Sequence, residues 1–163
     1  MPTLNFADED WERVEHDAMA WWAGELERPL VYLSVTTTPI SEWPYGYMSN
    51  YPLDMPAEEV LERYEPYLAA QRYYADAFPW AWINFGPGIM AGFLGADVNS
   101  VTAPSETVWF TSPQKVDIHD LDPSYDAENA WWRRVKELTA AAVERCEVLE
   151  AVEAEVGALE SSW

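Results

Sequence analysis

The chain has 163 residues, nine basic against 29 acidic, a formal net charge of -20 and 15% aromatic residues. That length and aromatic mass suit one domain with a real core and exclude a disordered chain, and the shortage of Lys and Arg excludes nucleic acid or an anionic membrane surface as expected partners. One cysteine, Cys146, excludes an internal disulfide, and the acidic start MPTLNFADEDWE and the lack of a long apolar run point to a cytoplasmic protein.

Residues 8–27, DEDWERVEHDAMAWWAGELE, read as a first helix. Asp8 or Asp10 can cap it, and Trp11, Val14, Ala18, Trp21 and Trp22 recur at helical spacing. After Arg28-Pro29 the β-branched and aromatic run LVYLSVTTT (30–38) predicts a strand. A long loop, 39–56, follows, with four prolines among Trp43, Tyr45, Tyr47 and Tyr51. Loops of that length and composition cover sites or plug surfaces.

Residues 56–77 predict a second helix, with Pro56 at its first position and Pro66 kinking or splitting it. PWAWINF (79–85) reads as a short strand, and IMAGFLGA (89–96) as about two turns of helix. VNSVTA (98–103) and ETVWFTS (106–112) read as extended pieces, and DIHDLDPSYDAEN (117–129) as an acidic loop. From Ala130 to the end the chain reads as a long helix. Its stripe Leu149, Val152, Val156, Leu159 and Trp163 is able to meet another helix. Strands alternating with helices predict α/β architecture with a parallel sheet.

The glycines at 86, 88, 92 and 95 raise the question of a phosphate-cradling loop. The spacing is Gly-x-Gly-x-x-x-Gly, no Lys follows, and Glu106 precedes the next apolar run instead of following it. The better reading is structural: missing side chains let a ring or a backbone approach, and Gly95 suits a helix end. Asn84 would then stand at a strand tip, offering both a donor and an acceptor.

Five residues are candidate substrate contacts: Asn84, Glu106, Trp109, Trp82 and Tyr47. Glu106 can act as hydrogen-bond acceptor or general base. Trp82 and Trp109, with Trp80, can stack on a flat substrate or a sugar. His16 reads as solvated, and His119 among acids is a weak metal signal. Catalytic residues stay unassigned, and no cofactor or metal ligand set is evident.

The succession ERPLVYLSV, NFGPGIMAGFLGAD, SETVWF and AENAWWRRVKELTAAAVERC resembles the N-terminal half of the uroporphyrinogen decarboxylase superfamily, near the cobalamin-dependent methyltransferases. The resemblance covers residues 10–147. It implies a partial (β/α)8 barrel with a small-molecule site at its mouth. Zinc or a corrinoid is implied for complete relatives only. Val35 and Pro39 stand where the decarboxylases carry arginines, and Phe85-Gly86-Pro87 replaces a triplet that ends in the catalytic Asp. A complete barrel takes about 250 residues, so the expectation is a truncated, catalytically incomplete relative. Its open sheet edge would be covered by a second copy or another chain. The alternative is a non-enzymatic module that binds a small ligand or a protein through loop 39–56 and the C-terminal helix.

Overall fold

The computed structural model describes residues 4–160 except 104, 116, 118, 121–123 and 125, with side chains as far as Arg145. The chain divides into two compact units. Unit 1 holds the residues up to Pro44 together with Glu62–Trp82, and unit 2 holds Tyr45–Leu61 and the residues from Ile83 on.

Unit 1 opens with helix α1 (Asp8–Trp22). Asp10 reaches back to accept from the Ala7 N–H at 3.2 Å, occupying a donor that the helix start leaves free. The helix stops five residues short of the expected Glu27, because Gly24 takes φ +73° just past its end. Strand β1 (Tyr32–Thr36) pairs antiparallel with β2 (Gln71–Ala75), with Tyr32 opposite Ala75 and Thr36 opposite Gln71. Helix α3 (Glu65–Ala69), with Pro66 in its first turn, precedes β2. The core gathers Phe6, Val14, Tyr64, Ala70 and Ala77. The Phe6 ring stands edge-on to Trp11 and Tyr73, with centroids 4.8 and 5.7 Å away.

Unit 2 begins with a 3-10 turn (Met48–Asn50) and helix α2 (Ala57–Glu62), whose last residue is counted with unit 1. Helix α4 (Ile89–Phe93), the antiparallel pair β3 (Asp97–Val101) and β4 (Thr107–Thr111), and helix α5 (Ala130–Glu160) follow. Met48, Val60, Phe85, Val108 and Leu138 form its core. Asn129 joins two helices with one amide. Its Oδ1 accepts from the Trp131 and Trp132 N–H groups at 3.0 Å, and its Nδ2 donates to the Gly92 and Phe93 carbonyls. The glycine run seats a ring: Phe110 lies against Gly86 and Gly88.

The expected partial (β/α)8 barrel is therefore corrected. The described residues form two separate two-stranded sheets, both antiparallel. Five residues join β3 to β4, too few for the crossover that a parallel pair needs and enough for a hairpin. The strand expected at 79–85 makes no ladder. Its role falls to Gln71–Ala75, placed by the sequence reading in a helix that Pro66 does split. Two adjacent tyrosines and the preceding Arg72 satisfy a strand as readily as a helix, and pairing with β1 decides between them. The side chains of the C-terminal stripe, Leu149 to Trp163, and of Cys146 lie outside the described residues.

Candidate functional site

Three of the five predicted contacts come together in unit 2. Glu106 ends the β3–β4 connection, and its carboxylate accepts three hydrogen bonds from one short segment. The Gly46 N–H donates at 3.0 Å, the Tyr47 N–H at 2.9 Å and the Asn50 Nδ2 at 2.8 Å. Asn84 holds the same segment from another side. Its Nδ2 donates to the Gly46 carbonyl at 3.0 Å, its Oδ1 accepts from the Gly86 N–H, and its own carbonyl accepts from the Met48 N–H at 2.6 Å. Ser100 adds a bond from its hydroxyl to the Ser49 carbonyl at 2.6 Å.

Chemically this is a clamp. A carboxylate facing two successive backbone amides resembles the concave amide arrangements that bind anions, with the anion supplied by the chain itself. Glu106 acts as the acceptor the sequence suggested, but its donors belong to the loop. The first third of the predicted aromatic loop 39–56, through Pro44, falls in unit 1, and the clamp ties down part of the remainder in unit 2.

The two tryptophans are not brought into that cluster. Trp109 is exposed on β4, where it pairs in register with Asn99. Trp82 is exposed at the end of unit 1, its ring 6.0 Å from that of Trp80. Exposed His16 lies 3.1 Å from Asp17, and the His119 N–H donates to Asp117 in a local turn. Among the described residues, no group of three or more His, Cys, Asp or Glu is placed to hold a metal.

Unit 1 carries a second arrangement that the sequence reading did not assemble. A cleft of about 80 Å³ is walled by the rings of Tyr32, Tyr67, Tyr73, Phe78 and Trp80, with Ser34 and Gln71 as polar lining. Gln71 is buried, and its Nε2 donates to the Thr36 hydroxyl at 2.8 Å. The Tyr73 hydroxyl donates to the Leu68 carbonyl at 3.1 Å. Burial, with a smaller contribution from neighbouring Tyr67, pushes the Tyr73 phenol up to about 12. Trp43, from the aromatic loop, lies 5.6 Å from the Tyr67 ring. The available signal was the clustering of Tyr73, Tyr74, Phe78, Trp80 and Trp82 within ten residues.

Also in unit 1, Asp76 anchors the start of β1. Its carboxylate, 1% exposed, takes both terminal nitrogens of Arg28 at 2.7 and 2.8 Å and the Val31 N–H at 2.7 Å. Arg28 also reaches Asp17 of α1 at 2.6 Å, and Arg13 of α1 donates to the Ala75 carbonyl. The Arg28 guanidinium holds Asp76 well below the usual carboxylate range, at about 2. The pair thus locks helix and sheet together and engages both Asp76 oxygens with internal donors.

No family model, curated protein or solved structure matches the chain. Among the described residues, no helix is long and apolar enough to cross a membrane.

Proposed function

We propose that the chain is a small-ligand-binding module and that the aromatic cleft of unit 1 is its binding site. The observation that carries this reading is the convergence of five aromatic rings with a buried amide and a hydroxyl around one small opening. Rings supply flat apolar area at low entropic cost, and a few polar groups fix orientation. The space is well under the roughly 300 Å³ of drug-sized pockets, so the ligand is a fragment-sized ring or a sugar face. A net charge of -20 favours a neutral or cationic one. The two best-placed carboxylates, Asp76 and Glu106, are taken up by internal donors, which supports binding over catalysis.

Ligand-observed NMR with indole, nicotinamide and methyl glucoside tests the proposal. Saturable binding of at least one probe is expected, lost in Trp80→Ala and kept in Glu106→Gln. No binding by any of the three, or binding indifferent to Trp80→Ala, refutes it. A second reading, self-association, is favoured by β1, whose five residues are all exposed and include Tyr32, Leu33 and Val35. Light scattering across a concentration series separates the two: a monomer at all concentrations removes the second.

A further inference from the structure

Arg134, in the second turn of α5, is 3% exposed, and only part of its guanidinium is used. Its Nη1 donates to Glu137 at 3.0 Å. Nε and Nη2 are buried and have no partner among the described residues. Those two nitrogens form one edge of the planar group, the edge that meets a carboxylate with two parallel hydrogen bonds. Burying such an edge unpaired is among the costlier arrangements in a protein, so a donor pair left this way marks a place for an acceptor.

The surroundings narrow what the acceptor is. Arg134 lines a cleft of about 340 Å³ together with Leu53, Glu128, Ala130, Arg133 and Glu137. Two acids and two arginines therefore border one opening. A free anion approaching a chain of net charge -20 is repelled at long range, whereas a zwitterion is not. We propose that this cleft binds a free α-amino acid. Its carboxylate lies on the Nε–Nη2 edge of Arg134, and its ammonium is held by Glu128 and Glu137. The edge is closed to solvent, so binding moves a neighbour. Leu53, exposed on a turn, is the larger of the two apolar lining residues, and in the proposed complex it is the one that gives way. The site lies within unit 2 and is independent of the aromatic cleft.

Isothermal titration of the full chain with glycine and L-alanine, which carry no ring for the aromatic cleft, tests this. Acetate, methylammonium and inorganic phosphate serve as comparisons. Saturable binding of an amino acid is expected in the millimolar range or tighter, with acetate at least about tenfold weaker. Arg134→Lys keeps the charge and loses the fork, so affinity falls about tenfold or more. Glu128→Gln with Glu137→Gln, both at exposed positions, provides a folded variant whatever Arg134→Lys does, and it weakens the amino acid while leaving acetate unchanged. No saturable binding of either amino acid overturns the proposal. So does phosphate or acetate binding as well as the amino acid, or a double variant that binds glycine and L-alanine as the parent does.

Discussion

Asp76→Asn removes the charge from a part-buried ion pair of unit 1 in a side chain of nearly the same shape. The carboxylate is 1% exposed and accepts from Arg28 twice and from Val31 once. Removing one partner of a buried pair costs about 3–5 kcal/mol. Arg28 is 44% exposed and can rehydrate, so roughly 2–3 kcal/mol is expected at pH 7. The pH dependence follows from the lowered acidity. Asp76 falls from 3.8 to about 2 on folding, chiefly through its hydrogen bonds to Arg28. A depressed acid contributes stability that is present above its unfolded value and is lost as pH falls through the folded one. The linked amount is at most about 2 kcal/mol and nearer 1 once solvent screening at Arg28 is allowed for. Urea titrations of parent and variant at pH 7, 5, 4, 3 and 2 measure it. Comparing the two proteins at each pH cancels the titration of the other acids. The difference should hold steady from pH 7 to about 4 and shrink by about 1–2 kcal/mol toward pH 2. A difference below about 0.5 kcal/mol at pH 7, or one that does not change on acidification, would refute the account of Asp76 as a charged anchor.

Glu106→Gln leaves one acceptor where there were two. It should cost about 1 kcal/mol and, more specifically, speed hydrogen exchange at the Gly46 and Tyr47 amides while leaving the β1–β2 amides unchanged. Gly88→Ala puts a Cβ within 2.9 Å of the Phe110 Cγ and should destabilise by about 1–3 kcal/mol. Gly95→Ala meets nothing within 4 Å and should cost only the strain of φ +92°, about 1 kcal/mol; thermal denaturation ranks the two, and the reverse order contradicts the packing described. Tyr73 should ionise near pH 12, above free tyrosine, in a spectrophotometric titration. The stability its neutral form contributes is present below pH 10 and is lost as pH rises toward 12, and Tyr73→Phe should remove that last step.

Local chemistry was legible in the sequence where one residue decides it. Pro66 splits its helix, α5 opens at Ala130 as expected, and the glycine run accommodates a ring. The partners of the strands were not legible. Alternation of helix and strand suggested parallel pairing, but alternation is a property of order along the chain, and pairing depends on which segments meet. Gln71–Ala75 shows the difference: its periodicity continues the preceding helix, and only the register with β1 makes it a strand. The site residues divided on the same line. Asn84, Glu106 and Tyr47 were singled out and do converge, yet the Asn84 and Glu106 side chains are taken up by the 46–50 segment and Gly86, because nothing in a sequence tells whether an acceptor's donors come from a ligand or from the chain.

That ambiguity has a cause in the composition. Nine basic residues cannot pair 29 acids, so most carboxylates have no cation to meet. Several take backbone amides instead. Asp10 accepts from Ala7, Asp76 from Val31, Glu106 from Gly46 and Tyr47, Asp117 from His119, and Asp126 from Glu128. Each bond satisfies a donor that a helix start, a strand start or a turn leaves open. A charged acceptor makes the stronger version of that bond. The excess of acid is therefore more than a solvated surface: it is also how this chain fixes its loops. An isolated acid beside an aromatic strand, which elsewhere suggests a reactive group, here suggests a clamp first. The inverse holds for the scarce cations. Where acids are abundant, a buried arginine with an unpaired edge is the exception, and Arg134 is for that reason the place where an outside carboxylate is expected.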